Sequence, residues 1–129
     1  MKIQAINTVE KHWLIISIFI LSSITVLSLT PLAELADAPG SDKTHHLISY
    51  AALAFPASLR RPTGWKYIIL LFAWYSGLIE VIQPYVNRHG EWLDFIGNLS
   101  GLLLGFILAL WARALRAKCN ILHKEETDI

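Results

Sequence analysis

Polar side chains able to do chemistry lie within or beside apolar stretches in the segment between Gly77 and Gly105. They are Glu80, Gln83, Arg88, Asp94 and Asn98. An ionisable or amide group inside a membrane span is unfavourable unless it faces protein or water, so these residues indicate a candidate site. The two carboxyl groups could serve as general acid and base, because burial disfavours ionisation of a carboxyl group and a nearby cation favours it.

A second polar group lies earlier in the chain, in the sequence SDKTHHLISY that begins at Ser41. It provides Asp42, Lys43, His46 and Tyr50. Residues four apart share a face of a helix, so His46 and Tyr50 lie on one side of their helix. Asp94 and Asn98 have the same spacing on a later helix. We therefore predict that helices from distant parts of the chain bring their polar patches together in one cluster.

Metal binding is a further use of such residues. Imidazole and carboxylate groups suit zinc, and His45, His46, Glu80 and Asp94 could supply them. The sequence contains no pair of histidines one helical turn apart with a glutamate between them, which is the compact motif of many zinc sites. We therefore predict no metal site and no other cofactor.

Composition places the chain among membrane proteins. Of its 129 residues, 54% are hydrophobic and only 16% are charged, and the mean hydropathy is +0.47. A soluble domain normally has about a quarter of its residues charged. The single cysteine, Cys119, excludes an intramolecular disulfide and a cysteine-based metal cage. No basic run resembles a nucleic-acid interface, so we predict no nucleic-acid partner.

The apolar stretches predict an all-α domain that crosses the membrane as a four-helix bundle, because about 20 apolar residues suffice for one crossing. The predicted spans cover residues 13–32, 43–59, 65–83 and 92–114, with a polar tail at 115–129. The first stretch exceeds the roughly 7–15 apolar residues of a signal-peptide core, so we expect an uncleaved span. The second is the shortest and the least apolar.

Turn and cap residues set the bounds of these helices. Pro39 and Gly40 predict a loop at residues 33–43. Ser41 or Asp42 can then cap the second helix by accepting bonds from its free amide groups. Pro84 ends the third helix, because proline lacks the amide proton that a helix needs.

The basic residues predict the orientation in the membrane. Of the eleven, only Lys43 and Arg88 fall in the loops between spans one and two and between spans three and four. The other nine lie before span one, between spans two and three, or after span four. Loops rich in Lys and Arg stay in the cytoplasm, so we predict that both termini are cytoplasmic. The polar cluster would then lie near the outer interface.

The sequence resembles the VanZ-like family of small integral membrane proteins. The first family motif is an Asp-Lys pair followed by a His and a Tyr, and the second is a Glu, Gln, Arg, Asp, Asn and Gly in that order. The matching residues are Asp42, Lys43, His46 and Tyr50, then Glu80, Gln83, Arg88, Asp94, Asn98 and Gly101. The similarity covers about residues 42–110. His45 departs from it, since an apolar residue is more usual there.

The resemblance implies a location and a phenotype rather than a reaction. It implies an integral protein of the bacterial cytoplasmic membrane, linked through a family member to low-level resistance to glycopeptide antibiotics such as teicoplanin. Our first hypothesis is a non-enzymatic protein that binds an envelope component at the polar cluster. Its partners would be membrane lipid, a lipid-linked envelope precursor or another membrane protein. The alternative is a membrane-embedded enzyme that acts on a lipid-linked or head-group substrate by carboxylate and histidine acid-base chemistry.

A purely structural interpretation also stands beside these two. Asp94 can cap a helix, and Asn98 can hydrogen-bond across helices. Glu80 can be neutralised by Lys43 or Arg88. Small residues at a spacing of four allow close helix packing, and we assign that role to Gly97, Gly101 and Gly105.

Overall fold

The fold is all-helical in residues 2–31 and 42–127, the part of the chain that the computed structural model describes. Its helices are α1 (Lys2–Lys11), α2 (Trp13–Leu29), α3 (Asp42–Arg60), α4 (Trp65–Ile82) and α5 (Trp92–Thr127), with a 3₁₀ turn at Gln83–Val86 after α4. The prediction of an all-α fold is confirmed. The predicted loop at residues 33–43 lies outside the described residues as far as residue 41, and so does the predicted cap at Ser41. The loop prediction is wrong at Asp42 and Lys43, which belong to α3.

Two of these helices are long and apolar enough to cross a membrane. They are α4 with its 3₁₀ turn, over Trp65–Val86, and α5, over Trp92–Leu122. Helices α1 and α2 meet at a bend of 75° and add a third candidate if the pair counts as one span. Helix α3 has 19 residues, but it is not apolar enough to be a candidate. The described residues therefore contain two or three candidate spans, where the sequence predicts four.

Helix α3 is the centre of the structure and packs against each of the other four helices. Its side chains at Leu53, Ala54, Ala57 and Leu59 are fully buried. A helix that is enclosed by protein does not need the long apolar side chains that a lipid-facing helix needs. This position explains why α3 has many small and polar residues although it lies in the interior.

Helices α3 and α5 pack closely because glycines of α5 face α3. A Cβ atom added at Gly101 would lie 2.9 Å from the Cβ of Tyr50, and one at Gly105 would lie 3.0 Å from the Cβ of Ala54. Each would also meet a backbone carbonyl of α3. A Cβ at Gly97 would make only ordinary contacts, at 3.6 Å and beyond. Only residues without a side chain fit at 101 and 105 at this helix separation.

Large apolar side chains cover the outside of the bundle. On α2, Ile15 and Phe19 are exposed whereas Ser17 and Ser28 are buried. The same arrangement holds on α4, where Leu70, Leu71, Trp74 and Val81 are exposed and Ser76 is fully buried. Soluble monomers rarely expose continuous apolar surface of this kind. Small polar residues inside and apolar residues outside are typical of helices that pack within lipid.

Two segments that lie outside the predicted spans are helical. Residues 2–11 form α1, whose Ile6 and Val9 pack against a buried cluster that includes Leu59 and Ala109. Helix α5 continues without a break past residue 115 to Thr127. Glu10 of α1 forms an ion pair with Arg116 of α5. The spacing of Ile6 and Val9 is only a weak helical signal, so the sequence alone does not predict a helix in this segment.

Candidate functional site

The start of α3, the end of α4 and the start of α5 lie together, and we call this part of the molecule the polar end. Short connections produce the arrangement, because α4 runs back along α3 and α5 runs back along α4. Arg61, Gly64 and Asn87 adopt positive φ values of 50°, 75° and 56° in these connections, which lets the chain reverse within a few residues. The polar end contains the nine candidate site residues: Asp42, Lys43, His46, Tyr50, Glu80, Gln83, Arg88, Asp94 and Asn98.

A chain of hydrogen bonds joins three helices in the polar end. The Nδ1 atom of His46 lies 2.8 Å from Oδ1 of Asn98. Nδ2 of Asn98 donates a hydrogen bond of 3.1 Å to Oε1 of Glu80. Asn98 is completely buried, and His46 is only 7% exposed. We call this chain of three side chains the relay.

The relay fixes which nitrogen of the imidazole carries a proton. Because the amide nitrogen of Asn98 donates to Glu80, its amide oxygen must accept, and the donor is Nδ1–H of His46. The same Nδ1 atom lies 3.9 Å from Oε1 of Glu80. A proton on His46 would therefore sit close to a carboxylate, which is the geometry of an acid-base pair with an amide between its members.

Three buried oxygen atoms of the polar end have no hydrogen-bond partner among the described residues. They are Oε2 of Glu80, Oε1 of Gln83 and the hydroxyl oxygen of Tyr50. Gln83 is held only at its other end, where Nε2 donates to the carbonyl of Ser28 at 3.4 Å. An unpartnered buried polar atom costs about 1–3 kcal/mol. A ligand or a water that bonded to these atoms would recover that free energy.

The charged residues of the polar end lie around the relay. Lys43 and Glu91 form an ion pair of 3.8 Å, and both side chains are about half exposed. Arg88 is buried, and its amide donates to the carbonyl of Gln83 at 3.1 Å, which closes the turn after α4. The side-chain hydrogen-bond partner of Glu80 is thus Asn98. The backbone of Glu91 also interacts with Glu80, while the side chain of Glu91 pairs with Lys43.

A further group of metal-ligating side chains adjoins the relay. Asp42, His46 and Asp94 each offer one ligand atom, and these atoms all lie within 4.8 Å of one another. Asp42 is exposed, whereas Asp94 is only 4% exposed. His45 and Glu80, which the sequence analysis considers as zinc ligands, are not members of this group.

Glu91 and Ser28 are contacts that the sequence analysis misses. Glu91 lies in a turn next to Gly90, where an acidic residue is common for solubility alone. Ser28 offers only its backbone carbonyl to Gln83, and no side-chain pattern encodes such a contact. Nothing in the local sequence around either residue indicates that it makes this contact.

An apolar groove of about 430 Å³ runs between α4 and α5, away from the relay. Trp65, Ile69 and Phe106 are among the residues that line it, with Lys66 as the charged one. Trp65 and Phe106 stack at 5.6 Å between ring centroids, and the guanidinium of Arg61 lies 4.9 Å from the Trp65 ring. None of the nine candidate site residues lines this groove.

The geometry supports part of each interpretation of the polar cluster. The relay shows candidate residues bonded to one another, as expected of residues that hold helices together. The unpartnered oxygens of Tyr50, Glu80 and Gln83 are what a binding or catalytic site would leave in the absence of its ligand.

Comparison of the chain with protein-family models, with curated proteins and with solved structures found no match. Function is therefore inferred from the residues and their geometry.

Proposed function

We propose that this chain is a VanZ-like integral membrane protein of the bacterial cell envelope whose polar end binds an envelope component. In this proposal four helices cross the cytoplasmic membrane and both termini are cytoplasmic, so that the polar end faces outward. The order of the motif residues from Asp42 to Gly101 supports the family. The split of basic residues between the two sets of loops supports the orientation.

The surface of the bundle supports the membrane location. Exposed Ile15, Phe19, Leu71 and Trp74 would be unfavourable in water and are suited to lipid. The candidate spans at Trp65–Val86 and Trp92–Leu122 have the required length and apolarity. Helix α3 would cross as the fourth helix in the middle of the bundle, where its neighbours shield its small and polar residues from lipid.

One observation carries the assignment of a binding role: three buried oxygens of the polar end have no hydrogen-bond partner in the described part of the chain. Oε2 of Glu80 and Oε1 of Gln83 are acceptors, and the Tyr50 hydroxyl can donate or accept. A ligand that satisfies them must bring O–H or N–H donors. Sugars and peptides provide such donors, and a lipid-linked envelope precursor contains both.

Glycopeptide susceptibility tests this function. The chain is expressed in a teicoplanin-susceptible bacterial host as wild type, Glu80→Gln and Glu91→Gln. Both variants remove one carboxylate from the polar end, but Glu91 is exposed whereas Glu80 bonds within the relay. We expect wild type and Glu91→Gln to raise the inhibitory concentration of teicoplanin, and Glu80→Gln to lose the effect at unchanged abundance. Full resistance with Glu80→Gln would contradict a role for the relay in binding.

The relay itself favours the enzyme alternative. An imidazole joined through an amide to a carboxylate could hold and move a proton during attack on a lipid-linked or head-group substrate. Mass spectrometry separates the two functions: the purified protein is incubated with lipid-linked precursor, and the products are compared with those of His46→Ala. A product that forms with wild type and not with His46→Ala would show that the protein is an enzyme rather than a binding protein.

A further inference from the structure

We propose that Asp42, His46 and Asp94 bind a divalent first-row metal cation, for which Zn²⁺ is the probe. Asp42 and His46 lie one turn apart on α3, and Asp94 lies in the first turn of α5. Their three ligand atoms lie within 4.8 Å of one another. One imidazole nitrogen and two carboxylate oxygens form a mixed set that suits zinc and its neighbours in the periodic table.

The relay supplies an independent argument for the metal. A histidine that ligates a metal almost always donates its other ring N–H to a carbonyl or carboxylate, which fixes its tautomer and orientation. His46 meets this condition if it ligates the metal through Nε2, because its Nδ1 is hydrogen-bonded to the amide oxygen of Asn98. In the neutral form of this tautomer the lone pair is on Nε2, the atom that would ligate the metal. Asn98 is in turn held by its hydrogen bond to Glu80, so the orientation of the ring is fixed on its Nδ1 side.

Charge leads to the same conclusion. The carboxyl groups of Asp42 and Asp94 lie within 4.8 Å of each other, and two negative charges at that distance repel. Asp94 and His46 are almost completely buried, so water screens this repulsion poorly. The nearby ammonium group of Lys43 is in an ion pair with Glu91. A doubly charged cation balances both carboxylates and leaves the group neutral.

The separation also fits a site that closes on its ion. Ligands at about 2.0–2.1 Å from zinc in a tetrahedral arrangement are about 3.3 Å apart. The side chain of Asp42 is exposed and can rotate the short distance that is needed, while Asp94 and His46 are held by packing. Three protein ligands leave a coordination position open, which is the arrangement of a metal that takes water or a ligand oxygen.

This inference goes beyond the proposed function and does not depend on which envelope component binds. It also replaces the expectation, from the sequence, that no metal site exists. That expectation follows from the lack of a compact ligand motif. The ligands come instead from two helices, and their convergence becomes visible only in the folded chain.

Metal binding is tested on the full chain in detergent micelles, with any polyhistidine tag removed and with Cys119→Ser to eliminate the thiol. Protein stripped by a chelator is titrated with Zn²⁺ by calorimetry. We expect one Zn²⁺ per chain, and an X-ray absorption spectrum with imidazole and oxygen ligands. Asp94→Asn and Asp42→Asn should each weaken binding at least about tenfold. His89→Ala, which removes an exposed histidine outside the group, should bind as the parent does.

Asp42→Asn keeps the test decisive if Asp94→Asn fails to fold, because Asp42 is exposed and its replacement does not disturb packing. The proposal is overturned if the parent protein binds no Zn²⁺ at a stoichiometry near one. It is equally overturned if Asp42→Asn binds Zn²⁺ as tightly as the parent, or if His89→Ala removes the binding.

Discussion

His46 and Asn98 lie 52 residues apart in the chain and share a hydrogen bond of 2.8 Å in the interior of the polar end. The bond joins α3 to α5, and the second bond from Asn98 to Glu80 brings in α4. Asn98 thus contacts a donor and an acceptor on two other helices. The same residue holds the helices together and orients the two ionisable groups of the relay.

Removal of this amide should destabilise the fold. In Asn98→Ala the N–H of His46 and the Oε1 atom of Glu80 both lose their partner in a buried environment. We expect the free energy of unfolding to fall by about 1–3 kcal/mol for each group left unsatisfied. Chemical unfolding in micelles, followed by tryptophan fluorescence, measures the change. Asn120→Ala, at an exposed position of α5, is the control and should unfold as wild type does.

The glycines of α5 should differ in their tolerance of a methyl group. In Gly101→Ala the new Cβ would lie 2.9 Å from the Cβ of Tyr50 and would meet the carbonyl of Leu47, so α3 and α5 must separate. We expect a loss of about 1–3 kcal/mol in stability. Gly97→Ala is the matched variant, because its Cβ has room and alanine favours a helix over glycine by about 1 kcal/mol. Equal effects of the two variants would argue against this packing of α3 on α5.

The Tyr50 hydroxyl should matter for function and not for stability. Tyr50 is 1% exposed, and its hydroxyl has no partner among the described residues. Tyr50→Phe removes an unpaired polar group, so the free energy of unfolding should stay the same or rise by about 1 kcal/mol. If a ligand bonds to the hydroxyl, teicoplanin resistance should fall in the same variant. Tyr67→Phe, on the exposed face of α4, should change neither quantity. A less stable Tyr50→Phe protein with full resistance would mean that the hydroxyl has a structural partner.

The sequence predicts the helical architecture because apolar stretches and turn residues are local signals. The runs that become α4 and most of α5 are long and predominantly apolar, and Pro84 marks the end of the first of them. Since short connections join consecutive helices, the start of α3, the end of α4 and the start of α5 must meet. The grouping of candidate residues at the polar end follows from this topology.

Side-chain pairing is not encoded in the same way. The sequence offers Lys43 and Arg88 as partners of Glu80, but its side-chain hydrogen-bond partner is the neutral Asn98. Lys43 pairs instead with Glu91, which lies nearer to the surface. These choices depend on rotamers and helix rotation to within about an ångström, and no periodicity in the chain specifies them.

The polarity of α3 and the helicity of α1 are further limits on prediction from sequence. A short, moderately apolar stretch can be a weak membrane span or the enclosed centre of a bundle, and composition is the same in both cases. Helix α1 is held to α5 by the pair of Glu10 and Arg116, which are 106 residues apart. The local sequence contains no signal that predicts a contact between residues so far apart in the chain.

Cysteine labelling in whole cells tests the central claim most directly, namely that the polar end faces the outside of the cytoplasmic membrane. The natural Cys119 is exposed on α5, far along that helix from its start at the polar end. A second variant combines Cys119→Ser with His89→Cys, which places a single thiol at an exposed position of the polar end. We predict that a membrane-impermeant maleimide labels the His89→Cys thiol in intact cells and labels Cys119 only after lysis. Labelling of Cys119 in intact cells, with the His89→Cys thiol protected until lysis, would contradict the account.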